Sequence, residues 1–169
     1  YGVMVFVTED IDRRTLIKVE TPATPKEDRV YTLKLNNLLK FTTGIYDYSV
    51  MTSVFSAVEP RAQSLPFELQ KITFTAQEWC GHVFEEVVVR DGQLRGDLNS
   101  YFEAEGRQSW AFEMPQAFAS EDHLLVRIRE LKEPFMAEGE SRAVTMLPAL
   151  WQFRVGHRAR ELVPATLRK

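Results

Sequence analysis

Hydrophobic and polar positions alternate along most of the chain, and the alternation predicts strands. Residues 2–8, GVMVFVT, are apolar on both faces and predict a fully buried strand. TLIKVE (15–20) predicts a second strand after a polar turn, and TPATPKEDR (21–29) a loop. VYTLKLN (30–36) alternates cleanly, with Tyr31, Leu33 and Leu35 on one face and Thr32, Lys34 and Asn36 on the other. In the stretch 42–60 one face carries Tyr46, Tyr48, Val50, Val54 and Val58. The other carries Ile45, Met51, Phe55 and Ala57. Apolar residues on both faces imply a sheet covered on both sides here.

RAQSLP (61–66) breaks the pattern, and FELQKITFTAQEW (67–79) resumes it as a long strand. VFEEVVV, Asp91-Gly92 and QLRGDLNSYFEAEG read as a hairpin series, since Asp-Gly suits a two-residue turn. EGRQSWAFEMP adds a short strand, and AVTMLPALWQFRVGHRAREL returns to strand character. A helix is predicted over about 121–132. Ser120 can cap it, Glu121 and Asp122 suit its first turn, and Leu124, Ile128 and Leu131 recur at helical spacing beside Leu125. Lys132 and the Glu133-Pro134 step end it.

Consecutive strands joined by short turns imply a mainly β, antiparallel meander. It can form a curled sheet, half-barrel or barrel with the late helix packed on it; a β-sandwich is the alternative. No repeat or linker divides residues 1–169, which read as one β-rich domain. The chain starts with Tyr directly on a strand-like run, so it is expected to be an N-terminally truncated fragment of a longer chain.

The charge is −3, which argues against general nucleic-acid affinity. No apolar run approaches the roughly 20 residues of a membrane span. One cysteine excludes an internal disulfide but does not separate cytosol from an exported compartment.

That cysteine sits in AQEWCGHVFEE (76–86). On a regular strand Glu78, Cys80 and His82 share a row with Phe74 and Phe84, while Gln77, Trp79, Val83 and Glu85 share the other. Three ligands in such a row spread over roughly 13 Å, too far for one tetrahedral ion. Cys80 and His82 would have Cβ atoms about 6.5 Å apart, too far for an easy nucleophile–base contact. The favoured reading is structural. Two strand segments meet at a bend or bulge at Cys80-Gly81, with Cys80 a small buried hydrophobe and His82 at a rim. Trp79 and Phe84 are buried, and Gly81 is required because a Cβ there would clash or force a disfavoured φ. No catalytic residue, metal or cofactor is expected.

Tyr46, Tyr48, Trp79, Trp110 and Trp151 are the aromatic candidates for lining a ligand pocket, with plain core as the alternative. In WQFRVGHRAR, read as a strand, Phe153, Val155 and His157 lie on one face. Arg154, Arg158 and Arg160 form a basic ribbon on the other, suited to an anionic group or a partner. Glu85-Glu86 reads as surface charge. Phosphate-loop, Gly-x-Ser-x-Gly and His-Glu-x-x-His motifs are absent.

VFVTEDIDRRTLIKVE, LKLNNLLKFTTGIYDYSVMTSVFSAVEP and ITFTAQEWCGHVFEE together resemble a family of uncharacterised bacterial exported proteins and lipoproteins. The likeness rests on Thr43-Gly44-Ile45-Tyr46 and on Gln77–Gly81; it covers the first half well and the rest loosely. Some members bear the label septum formation inhibitor. The early Ser-Pro-Arg-Arg motif of the nucleotide pyrophosphatases so named has only VEPRAQ as a counterpart here. More loosely, the meander with one late helix is similar to the half-barrels of periplasmic lipoprotein carriers. The resemblance implies a bacterial periplasmic or outer-envelope location. It carries over no catalytic residue. The two-sided apolar pattern over 44–58 suggests an apolar or amphipathic small molecule or lipid in the concave face of the curled sheet, beneath the 121–132 helix; an envelope protein bound at a sheet edge or at the basic ribbon is the alternative.

Overall fold

The computed structural model describes residues 1–59 and 65–169. Residues 61–64 of the break read at 61–66, and most of VEPRAQ, lie outside the described residues.

Seven strands follow one another in space as they do in sequence. They are β1 (Gly2–Asp12), β2 (Arg29–Thr43), β3 (Tyr46–Ala57), β4 (Glu68–Glu78), β5 (Gly81–Arg90), β6 (Gln93–Ser100) and β7 (Arg107–Glu113). Every neighbouring pair is antiparallel. β1 and β7 are the two edges, so the meander is open and does not close into a barrel. It is one continuous sheet rather than the two facing halves of an immunoglobulin-type sandwich. A small second sheet contains β8 (Phe118–Ser120), β9 (Ser141–Leu147) and β10 (Val163–Arg168), with β8 parallel to β9 and β10 antiparallel to it. Two one-to-two-turn helices, α1 (Glu121–Arg127) and α2 (Leu150–Gly156), flank β9 in the chain.

The strand registers align side chains across the sheet. One row on the inner face runs Phe6, Leu35, Val54, Ile72, Val87, Gly96, Trp110. The next runs Met4, Asn37, Thr52, Phe74, Glu85, Leu98, Gln108. Gly96 has a steric reason: a Cβ there would lie 2.0 Å from the Trp110 ring, so the indole occupies the space a side chain would take. Val126 of α1, Leu147 of β9 and Leu150 and Phe153 of α2 pack onto this face and join its core. Fully burying each such side chain stabilises the fold by about 1.5–3 kcal/mol.

Among the described residues the opposite face is covered only at one end. There Ile11, Leu16, Val30, Phe55 and Ala57 form a second cluster under the β1–β2 connection. Lys71 donates to the Leu16 carbonyl, and Arg90 to that of Arg14, which fastens the connection down. The two-sided apolar pattern of β3 thus has two causes, the main core on one side and this loop on the other.

Several expectations need correction. Residues 15–20 form no strand; Lys18 makes only an isolated bridge to Ile11. β1 is not a buried strand but an edge, with Val3, Met4, Val5 and Val7 exposed. The helix over 121–132 stops at Arg127, because Ile128 is its C-cap and Glu130 turns left-handed at φ 48°. Its buried side is Asp122 and Val126, leaving Ile128 and Leu131 exposed. Residues 150–156, read as strand, are α2. The helix ends where His157 adopts φ 48°, and its N-terminal backbone is satisfied from α1. Glu121 Oε2 accepts from the Ala149 N–H at 3.1 Å, and Asp122 Oδ2 from the Leu150 N–H at 3.0 Å. The acids that suited the first turn of α1 therefore cap the next helix. Ser120 makes no capping hydrogen bond.

Candidate functional site

QEWCGHVFEE is a β-hairpin, not a bent strand. Glu78 pairs with Gly81, and Trp79-Cys80 is its two-residue tip. The reversal changes which side chains share a face. Phe74 pairs with Glu85 and faces the core, whereas Phe84 and His82 point to the outer face. Trp79 is 69% exposed and Phe84 46%, so neither is buried as expected. Cys80 is exposed at the tip rather than packed. At Gly81, where φ is 159°, the expected clash is present. A Cβ there would meet Tyr101 at 2.4–2.8 Å, and close approach of that side chain is the constraint.

The longer β2–β3 hairpin projects beside this tip, and four of the five aromatic candidates gather there. Tyr46 lies 5.6 Å from Trp79, and Phe41 stacks on Tyr48 at 5.1 Å with an interplanar angle of 2°. Trp151, carried by α2, meets Phe41 edge-on at 6.0 Å. Phe41, Tyr48 and Trp79, with Lys40, Asp47 and Gln77, line an open cleft of about 870 Å3. The cleft is amphipathic: aromatic faces stand beside Lys40 and the carboxylates of Asp47 and Glu78. Phe41 was not among the aromatic candidates, although it shares the inner-face phase of Leu33 and Leu35. Trp110, the fifth candidate, is elsewhere. It packs on Phe112 at 5.2 Å, and its indole N–H donates to Glu85 Oε1 at 3.0 Å.

The three arginines do not form an exposed ribbon. Arg154 is buried on α2, where Nη2 donates to Glu78 Oε1 at 2.7 Å and Nη1 to Glu105 Oε1 at 3.2 Å. Its guanidinium also stacks over Phe102 at 4.0 Å. Arg160 Nε and Nη2 donate to Glu85 Oε1 and Oε2 at 2.9 and 2.7 Å. Only Arg158 stays at the surface, paired loosely with Glu161 at 3.5 Å. The physical reason is helix formation: α2 turns Arg154 inward, and the chain after it returns across the sheet to Glu85.

Glu85 is fully buried, which corrects its reading as surface charge. The signal was available, since Glu85 alternates in phase with the buried Val83 and Val87. These ion pairs are complete, bidentate in one case, and fasten α2 and the segment after it to the sheet. They leave no free charge for a ligand. Among the described residues, no three His, Cys, Asp or Glu side chains converge on a metal position. Among the described residues, no helix is long and apolar enough to cross a membrane.

Two titratable groups, buried Asp122 and half-buried His123, sit side by side on α1. Burial raises the Asp122 carboxyl to about 6, against the opposing Leu150 N–H bond, and Glu121 and Glu85 add to the rise. Burial lowers His123 to about 4, with Arg127 acting in the same direction and its bond to Phe67 opposing. His123 is therefore neutral near pH 7, and its Nε2–H donates to the Phe67 carbonyl at 2.9 Å.

No known family model matches this chain, and neither a curated protein nor a solved structure matches it.

Proposed function

We propose that this is a non-catalytic protein of the bacterial cell envelope that binds an apolar or amphipathic small molecule or lipid. The observation that carries the reading is the aromatic cleft at the hairpin tips. Trp79 is exposed there beside Tyr46, and the stacked Phe41–Tyr48 pair is held from behind by Trp151. Exposed aromatic side chains gathered around a cleft of this size lose apolar contact with water when a ligand covers them. The Lys40 and Asp47 side chains suit a ligand with a polar end. The inner face of the sheet is filled by its own core, so the ligand sits at the open end rather than within the sheet. The envelope location rests on the family resemblance of the first half of the chain.

The test is a fluorescence titration with lysophosphatidylcholine below its micelle concentration. Binding should shift the tryptophan emission, and Trp79→Ala should weaken it at least tenfold without lowering the melting temperature. Unchanged affinity in Trp79→Ala would refute the site. Native mass spectrometry of the full-length protein from its own host would identify a co-purified ligand.

A second reading, an assembly module, is favoured by one feature. β1 is an unpaired edge whose Val3, Met4, Val5 and Val7 are 40–57% exposed. Such an edge accepts a partner strand by backbone pairing. A Val5→Lys variant should then lose an envelope partner captured by the wild type, and a partner retained by that variant would exclude β1 as its site.

A further inference from the structure

A second pocket, of about 360 Å3, lies beside α1. It is at the end of the sheet opposite the aromatic cleft, near the β3–β4 and β5–β6 connections. Its apolar lining includes Phe67, Leu69, Val89 and Phe118. The volume falls within the range of small-molecule sites.

Its polar groups are unusual in three ways. First, the pocket is lined by two arginines, Arg127 and Arg142, whose guanidiniums stack on the one Phe135 ring at 5.0 and 5.7 Å. Arg142 acts on Arg127 as a like charge, a repulsion that an anion beside them would relieve. Second, their neutralisation is uneven. Arg142 pairs with Glu140 at 2.7 Å. Arg127 donates to the Pro66 carbonyl, and among the described residues no carboxylate lies within ion-pair distance of it. Burial lowers its pKa, Glu133 opposes that, and Arg142 adds to the lowering; the guanidinium nevertheless stays charged. Third, Ser120 lines the pocket and is only 1% exposed, yet its Oγ has no hydrogen-bond partner among the described residues. A buried hydroxyl without a partner is costly, and a bound acceptor would remove that cost.

Glu68 and His123 also line the pocket. His123 is neutral and already committed to Phe67, so it adds no charge. Among the lining side chains two guanidiniums face one carboxylate, Glu68, and apart from Gln116 the remaining lining is apolar.

We propose that this pocket binds a small carboxylate bearing a short alkyl tail. The carboxylate lies on Arg127 with Ser120 Oγ as a second donor, and the tail lies against Phe67, Leu69 and Phe118. An arginine can hold a carboxylate with two parallel hydrogen bonds, whereas a neutral head group would leave the guanidinium charge unanswered. This site is separate from the aromatic cleft of the proposed function.

Calorimetric titration with decanoate tests the assignment, with 1-decanol as the neutral control. Decanoate should bind at least tenfold more tightly than decanol. Arg127→Gln should lose at least tenfold in decanoate affinity, while Arg158→Gln leaves it unchanged. If Arg127→Gln does not fold, as judged by its melting transition, Arg142→Gln is measured in its place and should show a loss in the same direction. The proposal is overturned if folded wild type takes up no decanoate at millimolar concentration, or if decanol binds equally well. It is also overturned if neither arginine variant weakens binding. A loss seen in Trp79→Ala and not in the arginine variants would assign decanoate to the aromatic cleft, overturning this site while leaving the first intact.

Discussion

Replacing Arg160 with Met should destabilise this protein severely, and the reason lies entirely on one buried carboxylate. Glu85 has no solvent exposure, and the Arg160 side chain is 3% exposed. Glu85 accepts from Arg160 through both oxygens, and from the Trp110 indole at 3.0 Å. Without Arg160 the carboxylate keeps only the indole N–H, far from water in the row between Phe74 and Leu98. Leaving one member of a buried pair uncompensated costs about 3–5 kcal/mol. For a domain of 150–250 residues each kcal/mol lowers the melting temperature by roughly 2–4 °C, so Arg160→Met should melt roughly 6–20 °C lower. Replacing both members by apolar residues is a different perturbation, because no charge is stranded. Glu85→Leu with Arg160→Met should lie within about 2 kcal/mol of the wild type. Urea midpoints and melting curves of the two single variants and the double variant close the cycle. An Arg160→Met protein within about 1 kcal/mol of the wild type would refute the reasoning, as would a double variant no more stable than that single one.

The two neighbours on α1 should give opposite pH slopes. Asp122 has a folded pKa of about 6, above its unfolded value of 3.8, so its share of stability falls as pH rises from about 4 to 6. His123 has a folded pKa of about 4, below its unfolded 6.5, so its share falls as pH drops through nearly the same window. The wild type should therefore be nearly flat from pH 4 to 6, Asp122→Asn should lose stability as pH falls, and His123→Gln should gain it; urea midpoints across that range check this, and parallel profiles for the two variants would contradict it. Gly96→Ala should cost about 1–3 kcal/mol, because its Cβ would overlap an indole already tied to Glu85. Gly81→Ala should cost less, since Tyr101 is 77% exposed and free to move away; the reverse ranking of urea midpoints would show that the Tyr101 contact is not what constrains Gly81. Cys80 should react promptly with a disulfide reagent in the native state, and Cys80→Ser should change stability by no more than about 0.5 kcal/mol.

What the sequence by itself determined was the meander. Clean alternation in 30–36 and strand-like runs at 46–57, 67–79 and 83–89, with Asp91-Gly92 between two strands, define antiparallel neighbours through local chemistry alone. At the turn, Asp91 and Gly92 take φ of 52° and 71°, the conformation an Asp-Gly hairpin favours. The same alternation already held Glu85 in phase with Val83 and Val87. What it lacked was the compensating cation, which arrives from 75 residues away. Without Arg160 in view, a carboxylate in a buried row reads as surface charge. Residues 150–156 are the complementary case. Apolar positions 150, 151, 153 and 155 satisfy both helical and strand spacing, and acceptors from α1 decided for helix by meeting the N–H groups of Ala149 and Leu150. That choice turned Arg154 inward and dissolved the basic ribbon. Edge position was beyond the sequence for the same reason: GVMVFVT carries the composition of a central strand, and only the order of strands leaves β1 with one neighbour. Local patterns set which residues alternate, whereas burial, charge pairing and the gathering of Tyr46, Tyr48, Trp79 and Trp151 at one end depend on which distant segments the packed sheet brings to them.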